Sequence, residues 1–146
     1  MPIKILHMNG LKINHLQHVG IPVTDLRIST EFYEKLGFES VMDSSFEFNG
    51  EGGGLVSMLK HGDIVLELYQ MPAAELEIIR QRHAGRIDHI AFDVDDAEAT
   101  FHLLKDAGYN VLEEAPVLMA FWDNGCKYFF ITGPDGERLE FNEIVK

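Results

Sequence analysis

Apolar and polar residues alternate along the stretch IDHIAFDVDD, residues 87–96, in the pattern typical of a half-buried β-strand. His89 interrupts this pattern, because it lies beside Ile90 and two positions before Phe92, early in the strand. Taken alone, a histidine in such a place is more often a hydrogen-bonded core residue than a ligand. A functional role for His89 therefore requires partners elsewhere in the chain.

The same pattern occurs earlier in the chain. Residues 17–38 (QHVGIPVTDLRISTEFYEKLGF) and 88–109 (DHIAFDVDDAEATFHLLKDAGY) align without a gap. Three pairs lie 71 positions apart: His18 with His89, Asp25 with Asp96, and Gly37 with Gly108. Each copy predicts a short strand that begins at the histidine, then a helix with the aspartate as N-cap and the glycine as the left-handed residue that ends it. Helical spacing predicts the apolar side of each helix: Ile28, Phe32 and Leu36 in the first copy, and Ala99, Leu103 and Ala107 in the second.

The ends of the two halves also match. Residues 55–70 and 126–143 each predict two β-strands joined by a tight turn, KHGD in the first half and GPDG in the second. In the closing strands LEL aligns with LEF, so Glu67 corresponds to Glu140, 73 positions later. With one more strand in its middle, each half reads as strand, helix and three strands, or βαβββ.

The repeat also sets the predicted boundaries. The first module covers residues 14–75, the second covers 87–146, and residues 71–86 connect them through a predicted helix. Residues 40–54 predict a strand and a glycine-rich turn, since the Gly-Lys-Ser/Thr of a phosphate-binding loop is missing there. A chain of 146 residues is long enough to bury one core, so both modules are expected in one domain.

Charge and composition exclude several classes of partner. The chain carries 12 Lys and Arg against 24 Asp and Glu, a net charge of −12, and no basic cluster. Nucleic acid and anionic membrane surfaces require concentrated positive charge, so neither is an expected partner. No secretory signal and no run of about 18 apolar residues is present, and the single Cys126 is typical of a buried thiol in a reducing cytoplasm, where we expect the protein.

Four residues occupy symmetric places in the repeat. His18 and His89 begin the first strand of each half, and Glu67 and Glu140 lie in the last strands. Two modules packed about a pseudo-twofold axis would bring these side chains together, and two imidazoles with two carboxylates suit a divalent metal ion. If the glutamates point inward, a metal offsets the cost of burying them; if they point outward, they are merely solvated. Strand alternation alone does not decide between these orientations.

The chain resembles the vicinal oxygen chelate superfamily. The resemblance rests on the segments LQHVGIPVTDL…FYEKLGF, IVLELY, IDHIAFDVDD and GPDGERLEF, and it extends from about residue 14 to residue 144. It implies an α+β fold in which two βαβββ modules form an open, U-shaped mixed sheet around a metal site.

The ligand set His18, Glu67, His89 and Glu140 is most similar to that of bacterial glyoxalase I, or lactoylglutathione lyase. The resemblance implies a cytoplasmic enzyme of methylglyoxal detoxification that converts a methylglyoxal–thiol hemithioacetal into a lactoyl thioester. Its divalent metal would be nickel first, with zinc, cobalt, manganese or iron as alternatives. The metal would stabilise an enediolate, Glu140 would act as the catalytic base, Glu67 would act on the opposite substrate face, and both histidines would only hold the metal.

Two other functions stay open. The first is epimerase or isomerase chemistry, either of the methylmalonyl-CoA epimerase type or on another small oxygenated substrate. Methylmalonyl-CoA epimerases usually carry glutamine at the position of Glu67. The second, from another class, is a protein that sequesters a small molecule. For an anionic substrate the sequence nominates Arg27 and Lys127, which are more typical of surface groups. The aromatic residues expected near the site are Tyr69, Phe121, Trp122 and Tyr128.

The resemblance also concerns assembly. Glyoxalase I is similar to those members in which modules of two chains combine. It implies a homodimer in which His18 and Glu67 of one chain meet His89 and Glu140 of the other.

Overall fold

A computed structural model describes residues 8–82, 87–132 and 138–146. These residues form eight strands and three helices: β1 Leu16–Pro22, α1 Leu26–Lys35, β2 Glu39–Phe48, β3 Glu51–His61, β4 Ile64–Gln70, α2 Ala73–Arg80, β5 His89–Asp93, α3 Ala97–Asp106, β6 Val117–Met119, β7 Cys126–Thr132 and β8 Arg138–Ile144. The order β1-α1-β2-β3-β4 recurs as β5-α3-β6-β7-β8, which confirms the predicted α+β fold of two βαβββ units. Within the described ranges, no helix has the length and apolar character needed to cross a membrane.

All eight strands belong to one curled, open, mixed sheet in the order β2-β3-β4-β1-β5-β8-β7-β6. Each half contains one parallel pair, β1 with β4 and β5 with β8. The halves join where β1 runs antiparallel to β5, so the two modules of one chain pair with each other. The first strand of each half therefore lies at the centre of the sheet.

The helix ends form as the sequence predicts. The Asp25 Oδ1 atom accepts a hydrogen bond of 3.0 Å from the backbone N–H of Ile28, and Asp96 does the same for Ala99. Gly37 and Gly108 follow the two helices with φ angles of 99° and 87°, a backbone region that favours glycine. These signals are local, which is why the sequence alone identifies them.

Both predicted helices are present, but the apolar residues identified at helical spacing are not the ones that they bury. Ile28, Phe32 and Leu36 lie on the exposed side of α1, each more than half accessible, and α1 contacts the sheet through Leu26 and Tyr33 instead. In α3 the buried residues are Ala97, Thr100, Phe101 and Leu104, while Ala99 and Ala107 are exposed and Leu103 is half-buried. The apolar residues of each helix spread over more than one stripe, and the packing against the sheet selects the stripe that is buried.

The middle strands also differ from the prediction. The glycine-rich residues 52–54 lie inside β3 rather than in a turn, which is formed by Asn49 and Gly50. In the second half, residues 111–125 contribute only the three-residue β6. The predicted GPDG turn, His7 and His83 lie outside the described residues, whereas His15, His61 and His102 are exposed, as expected of surface histidines.

Candidate metal centre

Side chains alternate between the two faces of the sheet, and this determines where the glutamates point. In β4, Leu66 and Leu68 are buried in the cluster that packs against α1, so Glu67 faces the concave side. In β8, Phe141 lies in the cluster beneath α3, with Leu139 packed against that cluster, and Glu140 again faces the concave side. The glutamates therefore point inward, the orientation in which a bound cation offsets the cost of their burial.

The four predicted ligands meet on the concave side of one chain. The His18 Nε2 atom lies 3.2 Å from His89 Nε2, 2.8 Å from Glu140 Oε2 and 3.8 Å from Glu67 Oε2. The His89 Nε2 atom lies 3.3 Å from Glu67 Oε1 and 3.7 Å from Glu140 Oε2. One ligand atom each from His18, Glu67 and His89 fits within 4.8 Å of the others. The two-chain arrangement implied by the resemblance is thus not what this structure has, because β1 and β5 of the same chain are neighbours.

Hydrogen bonds on the far side of each ring orient both imidazoles. The side-chain amide of Gln17 donates to Asp93 and Asn142, so its Oε1 is left to accept from His18 Nδ1 at 2.9 Å. A register shift in β1 between Leu16 and His18 accompanies this contact, as is common beside functional sites. The Nε2 atom of His18, the nitrogen that faces Glu140, then carries the lone pair.

His89 is held by a charged group instead of an amide. Its Nδ1 donates to Asp88 Oδ2 at 2.9 Å, since a carboxylate can only accept. Arg138 Nη1 donates to the same oxygen at 2.9 Å, and its guanidinium lies 4.2 Å from the centroid of the Phe130 ring. Burial opposes the ionised form of Asp88, but His89 and Arg138 hold the pKa of Asp88 below its usual value.

The arrangement fits a divalent cation. With both Nδ1 atoms engaged as donors, the two Nε2 atoms face two carboxylates. When these nitrogens carry no proton, the four acceptors repel one another unless a cation lies between them. The Glu140 Oε2 atom is buried and, among the described residues, has no hydrogen-bond partner. It lies 2.8 Å from His18 Nε2, so a proton on that nitrogen or a cation bound by both atoms would satisfy it. Nitrogen and oxygen donors of this kind suit nickel, cobalt, zinc, manganese and iron.

The pKa shifts show the same accumulation of negative charge. Burial favours neutral histidine, yet Glu140 and Glu67 raise the pKa of His18 above its usual value. Despite the same effect of burial, Asp88 and Glu67 raise the pKa of His89 to about 10. Burial also favours a neutral Glu67, but both histidines lower its pKa. The carboxylates therefore favour positive charge at this centre, either as a proton on a histidine or as a metal ion.

Gly20 leaves room for the imidazole ring of His89. A Cβ atom at this position would lie 2.0 Å from Cε1 of the His89 ring, far inside van der Waals contact. Gly20 pairs with His89 in the antiparallel register of β1 and β5. The missing side chain thus provides the space that the His89 ring occupies.

A cavity of about 460 Å³ opens beside the four ligands, a size typical of small-molecule sites. Glu67, His89 and Glu140 line it, and so do three of the four predicted aromatic residues, Tyr69, Phe121 and Tyr128. Trp122 packs against the cluster of Val56, Met58, Phe121 and Cys126 instead, and its backbone N–H donates to Met42 Sδ at 3.3 Å. Cys126 also lines the cavity, but burial raises its thiol pKa to about 12, which makes it a poor nucleophile at neutral pH.

The comparison of the two halves missed the basic residues of the cavity. Arg138 and Arg82 line it, whereas the nominated Arg27 is exposed on α1 and pairs with Glu31. The other nominated residue, Lys127, is not among the described lining residues. Asp88 and Arg138 were overlooked because the repeat was searched for residues that the halves share. A search for differences beside each ligand would have found both.

Comparisons with known proteins agree with this architecture. The model of the Glyoxalase/Bleomycin resistance protein/Dioxygenase superfamily matches residues 13–141. Uncharacterized protein YwbC of Bacillus subtilis is 29% identical over 136 residues, 86% of this chain and 94% of YwbC.

Solved structures of methylmalonyl-CoA epimerases have the same fold. The enzyme from Mycobacterium tuberculosis has a TM-score of 0.74 at 24% identity, over 92% of this chain and 90% of that one. A variant from Streptomyces coelicolor in complex with 2-nitronate-propionyl-CoA has a TM-score of 0.73 at 26% identity, over 92% and 100%. With a family match that spans most of its length, the chain belongs to the Glyoxalase/Bleomycin resistance protein/Dioxygenase superfamily.

Proposed function

We propose that this protein is a divalent-metal-dependent epimerase or isomerase that moves a proton at a carbon next to a carbonyl group. The observation that carries the proposal is the order of the four ligands across the sheet. Because the strands run β4-β1-β5-β8, Glu67 and Glu140 flank the central pair His18 and His89. Two carboxylates thus approach one site from opposite sides, as the exchange of a proton between two faces of a carbon requires.

The four residues have two proposed roles, metal binding and proton transfer, and the glutamates have both. His18, His89, Glu67 and Glu140 would hold a divalent cation, nickel first. Such a cation acts as a Lewis acid toward the negative charge that develops on a substrate oxygen. Glu140 removes the proton from the carbon next to the carbonyl, and Glu67 serves the opposite face. Buried apolar and aromatic side chains around the cavity, among them Val56 and Phe121, limit the access of water to this proton.

The similarity to methylmalonyl-CoA epimerases supports epimerisation over the lyase reaction implied by the ligand set. The lyase reaction of glyoxalase I is the second candidate, and one residue favours it. The family resemblance associates glutamate at position 67 with glyoxalase I and glutamine with the epimerases. The two reactions share their proton transfer and differ in the substrate.

An isotope-exchange assay separates these candidates. Nickel-loaded protein in D₂O is incubated with methylmalonyl-CoA and, separately, with the glutathione hemithioacetal of methylglyoxal. Deuterium incorporation is measured at the carbon next to the carbonyl of methylmalonyl-CoA. Conversion of the hemithioacetal into a thioester is measured in parallel. We expect deuterium exchange on methylmalonyl-CoA. The exchange rate should fall by about 10²- to 10⁴-fold in Glu140→Gln, because this variant lacks the general base.

The control is Glu34→Gln, which alters an exposed side chain of α1 and should exchange at the native rate. Thioester formation without exchange on methylmalonyl-CoA would favour the glyoxalase reaction. Metal binding with turnover of neither substrate would contradict the proposal and favour a protein that sequesters a small molecule.

A further inference from the structure

The symmetry of the two modules breaks beside the metal centre. Before the ligand histidine, the first module has Gln17 and the second has Asp88. Two positions before the ligand glutamate, the first has Val65 and the second has Arg138. Directly beside these residues the first module therefore has a neutral amide and an apolar side chain, and the second has an ion pair. A substrate in this site meets two chemically different ends.

The side chain of Arg138 lies where it can contact a substrate bound in this site. It pairs with His89 in the parallel register of β5 and β8, and its side chain lines the same cavity as Glu67, His89 and Glu140. Phe130 is a shared neighbour, with its ring centroid 4.2 Å from the Arg138 guanidinium carbon and 5.3 Å from the His89 ring centroid. A small molecule bound at the four ligands thus lies within reach of the guanidinium.

The guanidinium is also preorganised. Asp88 engages Nη1 at 2.9 Å and the face of Phe130 supports the planar group, so few of its rotamers remain to be lost on binding. The side chain is 42% exposed, which leaves it open to the cavity rather than enclosed in the core. A planar fork of N–H donors held in this way matches the geometry of a carboxylate.

We propose that Arg138 binds the carboxylate of a small carboxylic acid whose other oxygen atoms bind at the four-ligand centre. This inference rests on the proposed function and specifies its substrate class. The carboxylate lies toward the second module, and the remainder of the substrate lies toward the apolar side chains of the first.

The charges of the cavity favour a single carboxylate over a phosphate as the anionic group that lies next to Arg138. Among the described residues, five carboxylates and two arginines line the cavity: Glu47, Glu67, Glu75, Asp88, Glu140, Arg82 and Arg138. A divalent cation offsets two of these negative charges, and the arginines offset two more. One negative charge then remains in excess, so the cavity opposes a phosphate, which carries close to two negative charges at neutral pH, more strongly than a single carboxylate.

Two chelating probes test this inference by calorimetry on the nickel-loaded protein. Acetohydroxamate offers two vicinal oxygens and no carboxylate, and malonomonohydroxamate adds a carboxylate to the same chelating group. We expect the native protein to bind malonomonohydroxamate about 10- to 100-fold more tightly, the size of one charge-assisted interaction. Arg138→Gln should lose this ratio, Arg138→Lys should keep part of it, and Arg27→Gln should keep all of it.

The ratio between the probes distinguishes a binding role from a structural one. If Arg138 only positions His89 through Asp88, Arg138→Gln lowers the affinity for both probes equally. The ratio of the two affinities then stays as in the native protein, which overturns the inference. Equal affinity of the native protein for both probes also overturns it while leaving the metal centre intact. If the protein does not take up nickel, or if the nickel-loaded protein binds neither probe, the proposed function on which the inference rests is contradicted.

Discussion

The two histidines of the centre differ in the group that holds their outer nitrogen. Gln17 offers His18 a neutral amide oxygen, and Asp88 offers His89 a carboxylate that Arg138 also engages. A carboxylate partner makes the metal-facing nitrogen a stronger donor than an amide does. The two halves are therefore expected to contribute unequally to metal affinity.

Replacement of Asp88 by asparagine tests this inequality. Asparagine keeps the shape but removes the charge, so we expect metal affinity to fall by about 10- to 100-fold, as is usual when a partner of a metal-binding histidine is lost. Competition with a fluorescent chelator measures the affinity. Asp63→Asn, at an exposed turn, is the control and should bind metal as the native protein does. Native affinity in Asp88→Asn would mean that the Asp88 contact is incidental.

At the level of secondary structure, α1 and α3 occupy corresponding places in the repeat but contribute differently to the stability of the fold. α3 buries four residues against the sheet, whereas no residue of α1 is fully buried. Phe101 of α3 is 2% exposed, and Phe32 of α1 is 57% exposed. The repeat makes these helices alike in sequence pattern but not in packing.

A pair of phenylalanine substitutions measures this difference. Phe101→Ala removes a buried ring in contact with Phe129, and we expect it to lower the free energy of unfolding by about 3–5 kcal/mol. Phe32→Ala removes an exposed ring and should change it by about 0.5 kcal/mol or less. Urea denaturation of both variants provides the values. Equal losses would contradict the packing described for α1.

These helices also show what the sequence could and could not predict. Caps and stops such as Asp96 and Gly108 depend on a few neighbouring residues, so they are readable from the chain. The buried face depends on how each helix lies on the sheet, and Ile28 and Phe32 are indistinguishable from core residues until that is known. The four candidate ligands are identifiable from the sequence because they recur, whereas Arg138 is not, because its counterpart is Val65.

At the scale of the whole molecule, a bound metal would join the two halves. His18 and Glu67 come from the first module, and His89 and Glu140 come from the second. In the native state their carboxylates and lone pairs converge, so metal binding is expected to stabilise the entire fold rather than one half. The site is complete within one chain, and the homodimer implied by the resemblance stays a prediction.

Thermal unfolding with and without metal checks this coupling. At a free metal concentration 100 times the Kd, the stabilisation is about 2.7 kcal/mol, which for a chain of this size raises Tm by roughly 5–10 °C. A chelator should reverse the shift, and Glu140→Gln should reduce it. If added nickel leaves Tm unchanged at every concentration, the four side chains do not form a metal site.

Gly20 has a consequence for any sequence that keeps this geometry. A side chain there and a histidine ring at position 89 compete for the same volume, so the two positions cannot vary independently. A substitution at Gly20 alone would expel the ring while all four ligands remained in the sequence. An inventory of ligands would count such a chain as intact, although its site would be closed. The identity of residue 20 therefore distinguishes a relative whose site is open from one that keeps the four ligand residues but has a blocked site.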